Sequence, residues 1–334
     1  MLPKVSILTP AYNCAHLIHR LLDSVLIQTY SNIEMFVIDD GSTDNTQQII
    51  AVYKTRFNER GYQLEYVWQQ NQGQSVAINN GLKLIQGEYL VWPDADDFYA
   101  EPDAIEALVQ ALDSAPEDVG LARSFQYLVD EDTLKIVGKY VASPAQRKTN
   151  LFEDCLFCQN GFWFTPGTFM VRTDKLFSVI PNREIFTAKE AGQNMQLLLP
   201  VLYNYNCITI EKYLYKVLFR PDSHSRIRTT CEESIYRDNI YLKTRISTLN
   251  NMKDFQNDKK DLLIKKLNDE YEMRAFRIVC SFGKHKEASK IYKSLKQKKS
   301  HLLTKKMTLI YYVSYVPFLI SAYKYMVKVL KLRR

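Results

Sequence analysis

Short apolar runs alternate along the first part of the chain with segments in which apolar residues recur at helical spacing. Four runs have the length of buried strands, and they occupy residues 5–9, 35–39, 64–69 and 89–92. Between them, apolar side chains three or four positions apart predict helices within residues 17–25, 49–53 and 76–82. Strands that alternate with helices in this way predict a parallel sheet with helices on both faces.

A polar segment follows each of the four predicted strands. In chain order the segments are PAYN, DDGSTD, QNQGQS and PDADD. Ligands of such sheets bind beyond the carboxyl ends of the strands. We therefore expect these four segments to meet at one edge of the sheet and to form the binding site.

The pattern changes to helices alone from Glu232 onward. Apolar residues hold one helical face between residues 263 and 282, and GKHKEASKIYKSLK, residues 283–296, resembles the second half of a helical hairpin. We therefore predict a boundary near residue 230, a helical region at residues 231–300 and a separate tail at residues 301–334.

The charge of the chain is concentrated at its end. The 334 residues are 46% hydrophobic and 24% charged, which is ordinary for a globular protein and excludes a disordered one. Of the net charge of +7, residues 284–334 contribute 14 Lys and Arg against one acid, Glu287. Such a basic segment predicts an anionic partner, either nucleic acid or a membrane surface.

The apolar part of the tail favours a membrane. TLIYYVSYVPFLISAY, residues 308–323, has lysines on both sides, and a nucleic-acid-binding arm would lack this apolar stretch. With Pro317 inside it, the stretch is shorter than the about 20 residues that span a bilayer. We therefore predict that residues 301–334 lie in the interface of an anionic membrane, and that the partner is not nucleic acid. The alternative is a basic helix packed on the body of the protein.

The cysteines and the first residues predict a cytoplasmic protein on the inner face of the cell membrane. MLPKVSILTP has too short an apolar run for a signal peptide, and six scattered cysteines suit a reducing compartment. Cys155 and Cys158 form one C-x-x-C motif without a second pair or suitably spaced histidines. We interpret these two cysteines as one face of a helix rather than as a zinc site.

Acidic residues dominate two of the polar segments. In VWPDADDFY, Asp94, Asp96 and Asp97 would repel one another, so the segment is either a solvated loop or a metal site with oxygen ligands. In VIDDGSTDNT, Gly41 permits the turn, but Asp39 and Asp40 end an apolar strand and cost stability unless they bind something. A carboxylate accepts well from the imide N–H of uracil or from a ribose hydroxyl.

Taken together, these segments resemble the nucleotide-sugar-binding half of the family 2 glycosyltransferases. The resemblance rests on VSILTPAYN, VIDDGSTDNT, NQGQSVAINNG and PDADD in this order, and it extends less sharply to residue 226. It implies the GT-A fold, a Rossmann-like mixed sheet flanked by helices, here with an α-helical C-terminal region. It also implies that residues 1–230 form the nucleotide-sugar-binding and catalytic domain of a hexosyltransferase-type enzyme.

The resemblance assigns roles by position. It implies that the nucleotide is held by Pro10, Ala11, Tyr12, Asp39, Asp40, Asn71, Gly73 and Asp94. Asp94 and Asp96 correspond to the DxD pair, in which Asp96 would bind Mn2+ or Mg2+ that arrives with the substrate. His224, in FRPDSHSR, is a candidate metal ligand or diphosphate donor, and a lone histidine can equally be structural.

The general base is where this sequence departs from the family pattern. Many members place a Glu-Asp pair where this chain has Gln193 and Asn194, and an amide cannot act as a base. Glu190 is the nearest carboxylate and our candidate for the catalytic base, with Glu184 and Asp154 as competitors. Alternatively, Glu190 is an acid in the first turn of a helix, where the helix dipole favours it.

The remaining candidates lie near the donor sugar or the acceptor in the family pattern. They are Asp97, Trp163, Thr168 and Arg220. Gly167 would allow close approach of the sugar, while Trp163 could either form a wall for a ring or belong to the core. Ile78 replaces an arginine that many members have, which removes a contact with the base.

The resemblance therefore implies an inverting, metal-dependent glycosyltransferase. By resemblance it moves one sugar from a nucleotide-sugar, most simply a UDP-sugar, to a lipid-linked saccharide of a bacterial surface polymer such as capsule or O-antigen. A dinucleotide-dependent oxidoreductase is excluded because PAYNCA stands where G-x-G-x-x-G would be required. Two alternatives stay open: a processive polysaccharide synthase, although no Q-x-x-R-W motif occurs, and a non-catalytic nucleotide-sugar-binding scaffold.

Overall fold

The computed structural model describes residues 2–220, 230–253, 255–298 and 300–315. The chain divides into two compact units. The first comprises Met1–Pro221 with Ser247–Lys253, and the second comprises Asp222–Ile246 with Asp254–Arg334.

A parallel half-sheet begins the first unit, as the hydrophobic pattern predicts. Its strands are β1 (Val5–Ala11), β2 (Ile33–Asp39), β3 (Gln63–Trp68) and β4 (Tyr89–Val91). They pair in parallel in the order β3-β2-β1-β4. Helices α1 (Ile18–Leu26), α2 (Thr46–Glu59) and α3 (Gln74–Leu82) form the connections.

The apolar spacing of α1 explains how the helices pack. Ile18, Leu21, Leu22 and Val25 lie three or four positions apart, and all four are fully buried against the sheet. Each such side chain contributes about 1.5–3 kcal/mol through burial. The sheet itself is buried on both faces, since every residue of β1 and β2 is buried.

An antiparallel extension follows and makes the sheet mixed. Its elements are β5 (Phe98–Tyr99), α4 (Ala104–Asp113), β6 (Val119–Asp130), β7 (Ile136–Tyr140), α5 (Phe152–Phe157), β8 (Phe169–Arg172), α6 (Thr173–Val179), α7 (Asn194–Asn204) and β9 (Asn206–Phe219). Strand β8 is antiparallel to both β4 and β6, while β6 and β9 run in parallel. The fold class predicted from the sequence, a mixed sheet flanked by helices, is confirmed.

The cysteines form no disulfide bond. Cys155 lies on α5 and is buried, whereas Cys158 follows the helix as its C-cap in the left-handed conformation and is exposed. The prediction that the two thiols share one helix face is therefore wrong, because the helix ends at Phe157 before it reaches the second thiol.

The second unit is helical in its described part. Its helices are α8 (Cys231–Asn251), whose last residues belong to the first unit, α9 (Asn257–Ser281), α10 (His285–Gln297) and α11 (Lys305–Val313). Phe276 of α9, Leu295 of α10 and Tyr311 of α11 are buried in one apolar cluster. The predicted C-terminal helical region is thus confirmed.

None of the helices formed by the described residues is long and apolar enough to cross a membrane. Of the predicted tail, the structure describes residues 301–315. The end of the apolar stretch therefore lies outside the described residues. His224 lies outside them as well.

Candidate active site

The loops that follow β1 and β2 are joined by hydrogen bonds at the carboxyl edge of the sheet. The backbone N–H of Asn13 donates to Ser42 Oγ at 2.8 Å, and that of Ala15 donates to Asp44 Oδ2 at 3.0 Å. The Asn13 side chain in turn accepts from the N–H of Thr43 at 2.8 Å. Two of the four predicted segments, PAYN and DDGSTD, therefore form one connected surface.

Asp40 fastens the third segment to this surface. Its Oδ1 accepts from the Gln69 amide at 2.7 Å and from the Gln72 N–H at 2.9 Å, and its Oδ2 accepts from the Gly73 N–H at 2.8 Å. The side chain is 5% exposed. The expectation that this buried carboxylate needs a ligand overlooked donors of the protein itself, which satisfy it.

Asp39 is bonded in a similar way. Its Oδ1 accepts from the Ser42 N–H at 2.7 Å and its Oδ2 accepts from the Tyr66 hydroxyl at 2.7 Å. Burial and this bond to Asp39 raise the pKa of Tyr66. Sequence reasoning missed Tyr66, and only the β2–β3 register, which pairs Val37 with Tyr66, brings the two side chains together.

Other residues predicted to hold the nucleotide lie beside these carboxylates. Pro10 and Ala11 end β1 and are buried, while Tyr12 follows them with 54% of its surface exposed. Asn71 is exposed in the third segment, and Gly73 is buried at the start of α3. Tyr12 is thus an accessible aromatic ring at this edge, as is Trp68 at the end of β3. Ile78 is fully buried in the core.

Gly73 allows a close backbone contact. It has φ +96° and ψ 157°, a conformation open essentially only to glycine. A Cβ at this position would lie 2.9 Å from the carbonyl oxygen of Lys189. Nearby, Ser75 Oγ donates to the Ala188 carbonyl at 3.3 Å. The segment before α7 therefore lies directly against the third predicted loop.

The three aspartates of PDADD form a compact acidic cluster. One carboxylate oxygen from each of Asp94, Asp96 and Asp97 lies within 4.8 Å of the others. Asp97 is 5% exposed and accepts from the Leu218 N–H at 2.9 Å, which places it under the end of β9. Burial, with the neighbouring charges of Asp96 and Asp94, raises the pKa of Asp97 well above its usual range.

Asp94 connects this cluster to two helices. Its Oδ1 accepts from the Gln74 amide of α3 at 3.2 Å and from the amide of Gln193, next to α7, at 3.3 Å. Burial and the charge of Asp96 raise the pKa of Asp94 to about 7, although both amide bonds act in the opposite direction. The Asp94 carboxylate is therefore held in place but is poorly compensated as an anion.

A cation from the protein itself lies among the aspartates. Arg220 Nη2 donates to Asp96 Oδ2, and the two side chains form an ion pair in which each is about a quarter exposed. The sequence predicted that a metal cation would reach the cluster with the substrate. The pair shows that the chain also supplies one of its own, from the residue that follows β9.

The cluster fits a divalent metal ion. Hard carboxylate oxygens are the ligands that Mg2+ and Mn2+ prefer. Burial and the neighbouring carboxylates raise the pKa values of Asp94 and Asp97, so a bound cation would stabilise their ionised forms. Because Asp97 is buried and bonded to the Leu218 N–H, Asp94 and Asp96 are the better placed ligands.

The amides that replace the family's acidic pair bond to the site itself. Gln193 is 1% exposed and donates to Asp94, while Asn194 Oδ1 accepts from the Trp92 indole N–H at 3.2 Å. Among the described residues, Gln193 Oε1 has no hydrogen-bond partner. These amides therefore position the aspartate loop and the start of α7.

Glu190 lies before α7 rather than within it. It is exposed in a turn at residues 189–190, and the helix begins at Asn194 without an acid in its first turn. The alternative that Glu190 is a first-turn acid is therefore wrong. Of its competitors, Glu184 pairs with Lys83 at 2.7 Å, while Asp154 is buried and accepts from Asn160 Nδ2 at 2.6 Å.

Trp163 and Thr168 belong to the protein interior. Both are buried, and the Trp163 indole N–H donates to Thr168 Oγ1 at 3.1 Å. The guanidinium of Arg123, which sequence reasoning missed, is fully buried and lies 4.1 Å from the Trp163 ring centroid. Core packing is thus the role that the structure gives this tryptophan.

Gly167 is required by a side chain rather than by a sugar. A Cβ at this position would lie 2.1 Å from Tyr215 Cζ of β9. The Tyr215 ring is fully buried against the Tyr99 ring, with centroids 5.4 Å apart. The close approach that the sequence predicted at Gly167 therefore exists, but a tyrosine occupies the space.

Sequence comparison relates the chain to known transferases. A profile of the family described as Glycosyl transferase family 2 matches residues 6–178, more than half of the chain. Glycosyltransferase GlyA of Streptococcus pneumoniae serotype 4 is 28% identical over 254 residues, which are 75% of this chain and 35% of GlyA. The chain thus spans about a third of the length of that relative.

Two solved structures have a similar fold. S. aureus TarS 1-349, in complex with UDP-GlcNAc, has a TM-score of 0.62 and 17% identity over 93% of this chain and 90% of that chain. Mannosyltransferase PcManGT from Pyrobaculum calidifontis, in complex with GDP-Man and Mn2+, has a TM-score of 0.55 and 15% identity over 96% of this chain and 86% of that chain. The likeness confirms the fold predicted from the sequence.

Proposed function

Because the chain belongs to glycosyltransferase family 2, we propose that it transfers one sugar from a nucleotide-sugar to a saccharide acceptor. The observation that carries the proposal is the acidic cluster at the carboxyl edge of the parallel strands, beside the loops that Asp39 and Asp40 hold. A UDP-sugar is the donor that we favour. Residues 1–230 would carry the nucleotide-sugar-binding and catalytic function.

The nucleoside would bind against the loops after β1, β2 and β3. Tyr12 offers an exposed ring, and the Asp39 carboxylate keeps acceptor capacity beyond its two hydrogen bonds. Asn71 and Gly73 would lie by the ribose and the phosphates, where the α3 N-terminus favours negative charge. Asp40, in contrast, would shape this surface through the loop that it fastens.

Asp94 and Asp96 would hold Mn2+ or Mg2+, with His224 as a further candidate ligand. When bound, such an ion offsets the negative charge that develops on a leaving diphosphate. Arg220 supplies a positive charge at the same place and is suited to bind the diphosphate once it separates from Asp96. The surface that the donor sugar contacts would be supported from the protein interior by Asp97, Trp163 and Thr168.

The proposed reaction is a single displacement that inverts the anomeric carbon. An acceptor hydroxyl oxygen forms the new bond to that carbon while its bond to the diphosphate oxygen breaks. The hydroxyl proton passes to Glu190, which is exposed. Glu190 lies in the segment from Lys189 to Gln193, whose first residue lies against Gly73 and whose last residue donates to Asp94. One general base suffices for this step.

The donor class is tested by isothermal titration of UDP, GDP and dTDP with and without Mn2+. We expect one nucleotide to bind in a metal-dependent way and Asp96→Ala to lose this binding. Asp23→Ala is the matched control, since Asp23 forms an exposed ion pair with Arg56 on the helical side of the sheet. Binding that ignores both the metal and Asp96→Ala would favour the non-catalytic scaffold, and release of long polymers in an activity assay would favour the processive synthase.

We further propose that the protein works at the inner face of the cytoplasmic membrane on a lipid-linked acceptor for capsule, O-antigen or a similar surface polymer. The support is the basic and aromatic composition of residues 301–334. Cell fractionation of the full chain and of a variant without these residues tests the location. Unchanged membrane association of the shortened chain would contradict it.

A further inference from the structure

Aromatic ring contacts join helices α10 and α11 of the second unit, which run in opposite directions. The Tyr292 ring stacks on the Tyr311 ring with centroids 4.2 Å apart, and the His285 ring stacks on the Tyr315 ring at 4.5 Å. The start of α10 therefore meets the end of α11. The two helices form a layer, and we call the ring pairs between them, Tyr292–Tyr311 and His285–Tyr315, the joint.

One side of this layer is covered by α9. Both helices contact α9, and the residues buried in the shared cluster include Ala288 and Leu295 of α10 and Tyr311 of α11. On α10, Ala288 and Leu295 are two turns apart and thus lie on the same side of the helix. The opposite side of the layer is therefore the one that remains exposed.

The exposed side carries lysines on α10 and apolar rings on α11. Lys286 follows His285 and Lys293 follows Tyr292, whose rings stack on Tyr315 and Tyr311. Lys290 follows Ser289, whose side chain forms a hydrogen bond with Tyr311. All three lysines are exposed. On α11, Leu309 is 62% exposed and Tyr312, one position after Tyr311, is 60% exposed. In each of two antiparallel right-handed helices, the residue that follows a joint-facing residue is rotated by about 100° around the helix axis. Both rotations lead to the same side of the layer, so these lysines and Tyr312 share one side.

We propose that this basic and apolar face, formed by Lys286, Lys290, Lys293, Lys305, Leu309 and Tyr312, binds the surface of an anionic phospholipid membrane. The lysines would lie at the lipid phosphates, and Leu309 and Tyr312 would enter the boundary of the acyl chains. The proposal rests on the membrane location proposed above and extends it to α10, outside the tail.

Charge and polarity favour lipid over other occupants. Glu287 is the only acid in the sequence from Lys284 to Tyr315, so a second copy of this face would be repelled. A nucleic acid would pair with the lysines but would leave Leu309 and Tyr312 against a charged backbone. A membrane interface is the partner that offers phosphates and apolar depth together.

The test is co-sedimentation of the full chain with vesicles of phosphatidylglycerol and phosphatidylcholine, compared with phosphatidylcholine alone. One variant combines Lys286→Glu, Lys290→Glu and Lys293→Glu; a second combines Leu309→Ser with Tyr312→Ser. The matched control makes the same charge change at exposed lysines of α9 and combines Lys259→Glu, Lys265→Glu and Lys266→Glu. Thermal unfolding of each variant confirms that it is folded.

We expect the native protein to bind anionic vesicles only. Both face variants should bind these vesicles about tenfold more weakly or worse, and the α9 control should bind them nearly as the native protein does. Equal binding by native protein and face variants would overturn the proposal, as would tighter binding to duplex DNA than to vesicles. If the shortened chain without residues 301–334 loses vesicle binding while both face variants keep it, this face is wrong but the membrane location stands. The nucleotide titration tests the transferase independently of either result.

Discussion

At Asp94, burial and the neighbouring charge of Asp96 disfavour the ionised carboxylate and raise its pKa to about 7. In the unfolded chain an aspartate has a pKa of about 3.9. At a pH between these two pKa values, Asp94 is therefore protonated in the folded protein and ionised in the unfolded chain. The stability that Asp94 contributes is fully present below about pH 4 and is lost as the pH rises through 7.

Asp94→Asn should remove this pH dependence. We expect the variant to be more stable than the native protein at pH 8 without metal, by roughly 1–3 kcal/mol, and similar to it near pH 4. In the native protein, Mn2+ should bind more tightly as the pH rises from 6 to 8, because metal and proton compete for the carboxylate. Denaturant unfolding and Mn2+ titration at several pH values measure both effects, and parallel pH profiles of the two proteins would contradict this account.

Arg220 and a divalent ion would compete for Asp96. We therefore expect Arg220→Gln to bind Mn2+ about two- to fivefold more tightly than the native protein in the absence of nucleotide. Binding of the nucleotide diphosphate should weaken in the same variant, since a cationic donor is lost. Arg56→Gln, which removes the surface partner of Asp23, is the control for isothermal titration. A loss of Mn2+ binding in Arg220→Gln would show that the arginine supports the metal site instead.

Glu190 is tested by its effect on turnover relative to donor binding. Glu190→Gln should lower kcat by about 100-fold or more and leave the affinity for the nucleotide within about twofold, because a general base acts on the acceptor. Glu184→Gln, which removes an exposed partner of Lys83, should change neither quantity. If instead Glu184→Gln were inactive and Glu190→Gln active, the base would have to be reassigned.

At the scale of elements, the contact between the loop before α3 and the segment before α7 leaves no space for a side chain. Gly73→Ala would place a Cβ against the Lys189 carbonyl and should destabilise the protein by about 1–3 kcal/mol. Nucleotide affinity should fall as well, since both segments border the site. Gly61→Ala is the control, because Gly61 also has a positive φ, +80°, but nothing lies within 4 Å of its Cβ position. Equal losses in both variants would indicate backbone strain alone.

The sequence predicted the elements whose burial repeats with a clear period. Strands β1 to β4 are short apolar runs, and α1 presents one apolar face, so hydrophobicity alone locates them. Strand β9 has no such pattern, because buried, half-buried and exposed residues follow one another irregularly along its 14 residues. Its position beside β6 depends on pairing with residues far away in the chain.

The same limit applies to the site. The aspartate segments were located because carboxylates after strands stand out in a sequence. What binds those carboxylates was not foreseen: Asp40 accepts from the Gly73 N–H, a backbone group more than thirty positions away, and Gly167 faces Tyr215. Such partners are set by tertiary contacts, and neither residue type nor spacing encodes them.

At the scale of the whole molecule, the first unit includes a short segment from beyond the predicted boundary. Residues 247–253 belong to it, and within them Leu249 is fully buried and Met252 is 7% exposed. Side chains of this segment line a pocket together with Val179 and Ile185. A boundary placed at residue 230 by pattern alone therefore separates the sheet from part of its own core.

A fragment that ends at residue 230 should consequently unfold at a lower temperature than one that ends at residue 253. The reason is the loss of the buried Leu249 and Met252, and Leu249→Ala in the longer fragment should by itself cost about 2–5 kcal/mol. Circular dichroism during heating compares the three proteins. Identical transitions for the two fragments would show that residues 231–253 add nothing to the first unit.

Cys158 gives the molecule a natural attachment point for a fluorophore. Its thiol is exposed, whereas the other five cysteines are buried, and burial raises the pKa of the Cys14 thiol to about 12 and that of the Cys207 thiol to about 11. A maleimide dye at neutral pH should therefore couple at one position without any engineered cysteine. Because α5 contacts α7, whose first residue follows Gln193, we expect the emission of this dye to change when a ligand binds beside Asp94.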